Sequence, residues 1–256
     1  MKNFIKKIPG IKNFLLFRRI IRQYPSMLKL SKGFGFYLKD LMAYRRIDTN
    51  NKFILDQSNL RPHVLDRTES TPVDPIYFYQ DSWCARKVFE AKPLHHYDIG
   101  SKAEMVGIIS QFTPTTMIDI RPIDLEMPNF NFIKGDILNL PFEDGIIFSL
   151  SSICVLEHIG LGRYGDKLDA FGSEKAIEEI KRVLALNGSL YISVPVDSEN
   201  KIYFNAHRAF TREYILELFK PLNLIEERYI YAREIRESYD PMLGFGTGLF
   251  HFKRTK

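Results

Sequence analysis

Residues 95–102, HHYDIGSK, and residues 117–122, MIDIRP, decide the fold of this chain. In both, a short stretch with strand character carries an aspartate near its end. In the first, Gly100 then turns the chain into a helix, predicted over Ala103 to Phe112. A strand, a glycine turn, a helix and a second strand with an acid about 20 residues after the glycine make half of a doubly wound, nucleoside-binding sheet. Gly100 lets a ligand approach the backbone, and the free amides opening the helix favour a carboxylate or phosphate. Asp119 is placed to accept from ribose hydroxyls. The competing readings are a plain strand-to-helix turn at Gly100 and a surface pair between Asp119 and Arg121.

Outward from this core, strands are predicted at His96 to Ile99, Thr116 to Ile120, Phe130 to Lys134, Ile146 to Leu150 and Ser189 to Val194. Helices are predicted at Ser173 to Leu184 and Arg212 to Phe219, with Leu224 to Tyr231 and Gly248 to Lys253 closing the pattern. Such alternation predicts a mostly parallel sheet with helices on both faces. Upstream, Asp81 or Ser82 is expected to cap a helix reaching about Glu90, with Trp83, Val88 and Phe89 as its apolar contacts.

The chain has 256 residues, 45% apolar and 26% charged, which suits a buried core and excludes a disordered or fibrous class. Cys84 and Cys154 lie far apart and outside any CxxC pair, so reduced thiols are expected, with neither a zinc site nor a disulfide framework. The net charge of +5 conceals a division. Residues 1–46 carry Lys or Arg at twelve positions against Asp40 alone, so the remainder is net acidic.

In that basic segment Lys12, Arg18, Arg19 and Arg22 fall on one side of a helix, with Phe14, Leu16, Phe17, Ile20 and Ile21 opposite. A second helix is predicted over Phe36 to Arg46, after a turn around Gly33 and Gly35. A basic amphipathic helix docks on its own domain, lies on an anionic membrane surface, or binds a partner. No aromatic–basic interleaving points to nucleic acid, so none is expected. Arg18, Arg19 and Arg22 interrupt the best apolar run, so neither a spanning helix nor a secretory leader is expected, and the protein is placed in the cytoplasm. The expected organisation is a basic helical extension over 1–46, a linker or irregular wrap over 47–76, and an α/β domain over 77–256.

Ligands of a doubly wound sheet bind beyond the carboxyl ends of its strands, so the strand ends hold the candidate site residues. They are Asp98, Gly100, Ser101 and Lys102 after the first strand, Asp119 after the second, and Asp136 with Ile137 after the third. A carboxylate at Asp136 suits an adenine amino group with Ile137 against the ring; the bland alternative is a turn cap. The fourth strand leads into Glu157, His158, Arg163, Tyr164 and Asp166, interspersed with glycines, a density that favours function over an internal ion-pair network. His158 is a candidate base or orienting group. Asn205, His207 and Arg208 follow the fifth strand as candidate acceptor contacts.

YDIGS (97–101), IDIRP (118–122), GDILNLPF (135–142), EHIGLGRYGD (157–166), LYISVPV (190–196) and FNAHRAF (204–210) closely resemble the family called domain of unknown function 268. The resemblance covers about residues 77 to 231 and includes YQDSWCARKVFE ahead of the first strand. That family resembles class I S-adenosylmethionine-dependent methyltransferases. The resemblance implies a Rossmann-like, doubly wound sheet of seven strands, the last antiparallel. It also implies S-adenosylmethionine as cofactor, with Gly100 near its methionine part, Asp119 at the ribose and Asp136 at the adenine. Glu157 and His158 match the EH pair that follows the fourth strand, and no metal is implied. The chain departs from D-x-G-x-G-x-G, having Asp98-Ile99-Gly100-Ser101-Lys102-Ala103-Glu104 there, and Lys102 is the group available to replace lost backbone contacts.

The expected function is methyl transfer to a small-molecule or glycan acceptor, with His158, His207 and Glu157 as candidate catalytic residues and Arg163, Tyr164, Asp166, Asn205 and Arg208 as acceptor contacts. The resemblance points to bacterial surface-polysaccharide assembly, with residues 1–46 holding the enzyme at the inner face of the plasma membrane. The alternative is a non-catalytic binding module with an eroded cofactor site.

Overall fold

The computed structural model describes residues 26–49 and 52–255. The chain divides into two compact units, Met1–Pro72 and Val73–Lys256.

In the first unit, helix α1 (Met27–Ile47) starts at Ser26, whose side chain accepts from the Lys29 amide. The helix runs straight through Gly33 and Gly35, where a turn was expected. The reason is tertiary: a Cβ on Gly33 would lie 1.9 Å from the Val64 carbonyl oxygen, so the glycine admits the returning chain. Arg67 ties that return to the helix, pairing with Asp40 at 2.8 Å and lying 5.2 Å from the Phe36 ring centroid. The remainder of this return is irregular apart from a 3-10 turn at Gln57–Asn59. The expected helix around residues 12–22 lies outside the described residues.

In the second unit, helix α2 (Pro75–Ala91) begins about two turns before the expected caps, because Asp74 accepts from the amides of Ile76 and Tyr77 and Pro75 pre-sets the first turn. Asp81 and Ser82 are therefore helix-interior residues. Trp83, Cys84 and Val88 are buried against Met105, Val106 and Ile109 of helix α3 (Ala103–Ile109). Phe89 is mostly exposed and meets Phe112 edge-on at 5.6 Å.

The sheet is built from β1 (His96–Ile99), β2 (Thr115–Asp119), β3 (Phe130–Lys134), β4 (Ile147–Ile153), β5 (Leu184–Val196), β8 (Asn223–Tyr231), β9 (Glu234–Arg236) and β10 (Gly246–Lys253). Its order is β3-β2-β1-β4-β5-β10-β8-β9. The strands β1 to β5 pair in parallel, and β10 enters antiparallel between β5 and β8. Seven of these strands are the expected set. The eighth, β9, is a three-residue return that pairs antiparallel with β8 at the sheet edge. Helix α4 (Gly172–Val183) buries Ala176, Ile177, Ile180 and Val183 on one face of the sheet, together with Ile118, Leu190 and Ile192. Their strand neighbours Met117 and Tyr191 point to the other face, where α2 and α3 lie. The sheet is covered on both faces, and β2 and β4 are accordingly buried along nearly their whole length. The hairpin β6 (Lys201–Tyr203) and β7 (His207–Ala209) and helix α5 (Arg212–Leu218) complete the unit. The strand order reverses between β1 and β4, which opens a crevice at their carboxyl ends.

Candidate active site

That crevice is a cavity of about 490 Å³, within the range of small-molecule sites. Of the candidate residues, Gly100, Asp119, Asp136, Ile137, His158, Tyr164 and Asp166 line it. Gly100 has φ of +69°, and a Cβ there would sit 3.0 Å from a Val155 methyl, so a larger residue would strain the turn at the cavity wall. Asp119 is buried at the end of β2. Arg121 folds back onto it, with Nε donating to Oδ1 at 3.3 Å, Nη2 to Oδ2 at 3.2 Å, and its backbone amide to Oδ1 at 2.8 Å. Thus Asp119 lines the cavity and is also half of the Asp119–Arg121 pair. Asp136 likewise lines the cavity while accepting from the Leu138 amide at 2.9 Å as a turn cap.

Asp98 and Ser101 are not among the lining residues. Asp98 is fully buried and accepts from the Ser101 amide at 3.1 Å, from the Ser101 hydroxyl at 2.7 Å, and from the Ser151 hydroxyl. Burial pushes its carboxyl up to about 6 against those donors. Ser151 also meets His96 Nε2 at 3.0 Å, while Ser149 meets His96 Nδ1 at 2.8 Å, and burial pushes this imidazole down to about 3. These residues brace the glycine turn across β1 and β4 without facing a ligand. Lys102 is at the surface, with Nζ 5.3 Å from the Tyr77 ring centroid and 4.0 Å from a Glu104 oxygen.

After β4 the chain makes a 3-10 turn, Leu156–His158, that buries both members of the EH pair. His158 Nδ1 lies 2.6 Å from the Ala206 carbonyl, which requires the proton on Nδ1 and leaves Nε2 with the lone pair, 3.6 Å from Glu157 Oε1. Burial pushes His158 down to about 4, so it is neutral near pH 7. Burial pushes Glu157 up to about 8, and its Oε2 has no hydrogen-bond partner. At neutral pH the pair is therefore a neutral imidazole beside a largely protonated acid.

The following loop is wound around Asp166, which accepts from the amides of Gly160 at 2.7 Å, Gly162 at 3.2 Å and Tyr164 at 3.2 Å. Against its desolvation, these amides hold the Asp166 carboxyl below the usual range. Tyr164 sits over the cavity with Arg121 at 4.6 Å and Arg163 at 5.1 Å from its ring centroid, and meets His158 edge-on at 5.5 Å. Arg163 donates to the Ala206 carbonyl at 3.0 Å. Asn205 is exposed at the hairpin tip and His207 is half-buried beside it. Arg208 is a correction: it is buried, spending its guanidinium on the carbonyls of Ile159, Asp169 and Ala170 and the Ser173 hydroxyl, and it holds the loop to α4.

Cys154 and Lys167, not among the residues expected at the site, also line the cavity, and buried Gln80 backs Cys154. Gln80 Oε1 accepts from Cys154 Sγ and from the Ser193 hydroxyl, each at 3.0 Å. Position after β4 is a signal for Cys154; a glutamine within an apolar helical face is the signal for Gln80. Among the described residues no group of three or more His, Cys, Asp or Glu is placed to hold a metal.

The strand order and the placement of the crevice define the Rossmann-like α/β fold of class I S-adenosylmethionine-dependent methyltransferases, and comparison with known proteins agrees. The model of the family described as "Caenorhabditis protein of unknown function, DUF268" matches residues 142–237, which contain EHIGLGRYGD, LYISVPV and FNAHRAF. No curated protein matches the sequence. Among solved structures, the N-methyltransferase NodS from Bradyrhizobium japonicum WM9 in complex with S-adenosylhomocysteine has a TM-score of 0.51 at 14% identity, over 84% of this chain and 98% of NodS. A putative sarcosine dimethylglycine methyltransferase from Galdieria sulphuraria has a TM-score of 0.52 at 14% identity, over 72% of this chain and 92% of that one. The [4+2]-cyclase SpnF has a TM-score of 0.52 at 13% identity, over 68% of this chain and 80% of that one. Likeness at this identity shows the fold, and the fold alone does not choose a reaction.

Proposed function

We propose that the cavity takes S-adenosylmethionine and that the protein transfers its methyl group to a hydroxyl of a small-molecule or glycan acceptor. The observation that carries this reading is one ligand-facing group at the end of each successive strand: Gly100 after β1, Asp119 on β2, Asp136 after β3 and His158 after β4, around one cavity. These residues fit the cofactor chemically. Asp119 would accept from ribose hydroxyls, Asp136 from the adenine amino group with Ile137 against the ring, and Gly100 would leave room at the amino-acid end, where Lys102 offers a cation to the carboxylate.

The cofactor supplies an already activated methyl group. The chain then has to orient the acceptor, exclude water and receive one proton. His158 suits the last task because its Nε2 lone pair is kept available by the Nδ1–Ala206 bond. Glu157, 3.6 Å from Nε2, would take part in that proton transfer, and His207 would be a second base at the hairpin. Arg163, Tyr164, Asp166 and Asn205 border the acceptor end. No metal enters this reading.

The setting we favour is bacterial surface-polysaccharide assembly, at the inner face of the plasma membrane, with residues 77–256 as the working domain and residues 47–76 as the connection to the basic segment 1–46. On α1, Leu28, Phe34, Phe36 and Met42 are exposed beside Lys29, Lys32, Lys39, Arg45 and Arg46, a composition suited to an anionic lipid surface. No helix among the described residues is long and apolar enough to cross a membrane.

A second reading, a binding module without catalysis, is favoured by Arg121 occupying both oxygens of Asp119 and by the departure from the glycine motif. Methyl-labelled S-adenosylmethionine incubated with the full-length protein and a glycan panel separates the two. Label transferred to a glycan, and abolished by His158→Ala, supports methyl transfer. Cofactor binding without transfer to any acceptor supports the module.

A further inference from the structure

A cluster of three aromatic rings is built on the hairpin whose tip touches His158. The tip of the β6–β7 hairpin presents the Ala206 carbonyl to both His158 Nδ1 and Arg163, which joins the hairpin to the cavity. Immediately behind this tether, the Tyr203 and His207 rings lie 5.1 Å apart, His207 and Phe245 5.4 Å apart at 37°, and Tyr203 and Phe245 6.0 Å apart at 86°. Tyr203 is 41% and Phe245 42% exposed, so one side of this three-ring cluster faces outward. The cluster is held in place: the Tyr203 hydroxyl donates to Asp197 Oδ2 at 3.2 Å, and Asp197 is itself paired with Lys201 at 2.9 Å. Contiguous exposed apolar surface marks interaction sites and ligand grooves, and small-molecule sites are lined largely by apolar and aromatic side chains.

Two features select the ligand. Aromatic faces carry negative quadrupolar charge, so they attract the weakly positive C–H groups on the flat face of a saturated ring as well as other aromatic edges. Beside these rings stand the exposed hydrogen-bonding groups Asn205 and Arg163, which suit a ring whose rim carries hydroxyls. We infer that Tyr203, His207 and Phe245 form the acceptor subsite and take the flat C–H face of a pyranose, whose hydroxyl rim is thereby set toward His158 and Arg163. This rests on the methyl-transfer reading and adds to it where the sugar sits and which face it presents.

The test is saturation-transfer NMR on the full-length protein with a panel of methyl pyranosides, with and without S-adenosylhomocysteine, and with phenol as the planar control. Pyranoside signals are expected in the wild type and should fall by about fivefold or more in Tyr203→Leu and Phe245→Leu, on the scale of losing one aromatic contact. Both residues lie outside the nucleoside cavity, so an unchanged affinity for S-adenosylhomocysteine shows that the variants fold. Pyranoside signals that the substitutions leave intact, signals from phenol alone, or a self-association by sedimentation that the substitutions abolish would each overturn the assignment. Failure of wild type to bind S-adenosylhomocysteine would count against the methyl-transfer reading instead, while the arm without it still decides whether the cluster takes a pyranose.

Discussion

Arg121 grips the carboxylate of Asp119 with two side-chain nitrogens and lays the same guanidinium over the Tyr164 ring, 4.6 Å from its centroid. A ribose that binds Asp119 must therefore compete with Arg121. Replacing Arg121 with Met should tighten S-adenosylhomocysteine binding by up to about fivefold, the equivalent of a partly exposed ion pair. Calorimetry on the variant checks this, and weaker binding would mean that Arg121 itself contacts the ligand.

Asp98 acts on the site through the fold. Three donors, the Ser101 amide and the hydroxyls of Ser101 and Ser151, depend on a carboxylate that is out of reach of water. Asp98→Ala strands these donors and should cost about 2–4 kcal/mol in urea unfolding, with Asp98→Asn closer to wild type. A stability within about 0.5 kcal/mol of wild type for the alanine variant would show that the donors find other partners.

The buried EH pair makes stability depend on pH in two opposite senses. Glu157 titrates near 8 in the folded protein against an ordinary value of 4.5, so the folded state holds a proton that the unfolded chain has released, and stability declines as pH rises through that window. His158 is lowered from 6.5 to about 4, so its neutral form is favoured by folding and stability declines as pH falls through that window. Glu157→Gln removes the first effect alone. The difference in melting temperature between wild type and Glu157→Gln should shift against the wild type between about pH 5 and pH 8. A difference that is constant with pH would place the Glu157 carboxylate in a solvated or ion-paired setting.

Local sequence carried the alternation of strands and helices and the positions of Gly100, Asp119 and Asp136, because each depends on a short run, a turn residue and a strand end. It did not separate Asp98 from Asp119, although both stand at the ends of strands. Asp98 is sealed by Ser151, which lies 53 residues away in the chain, and pattern does not reveal that partner. Arg208 looks like an acceptor contact in sequence for the same reason, since its four acceptors lie 35 to 49 residues away and reach it only in the folded loop. The start of α2 was misplaced because Asp74, Asp81 and Ser82 are all good caps. Pro75, which suits a first helical position, was the signal that favoured Asp74. Gly33 looked like a turn residue because its use, close approach of the Val64 carbonyl, is a tertiary contact.

In the proposed function the crevice across β1 to β4 is a nucleoside site read by Asp119 and Asp136. Calorimetric titration of S-adenosylhomocysteine into the full-length protein, with Asp119→Ala and Asp136→Ala in parallel, tests it most directly. Micromolar-range binding is expected of wild type, weakened about tenfold or more in each variant, on the scale of a lost hydrogen bond to a charged group. A natively folded wild type that takes up no S-adenosylhomocysteine would contradict it.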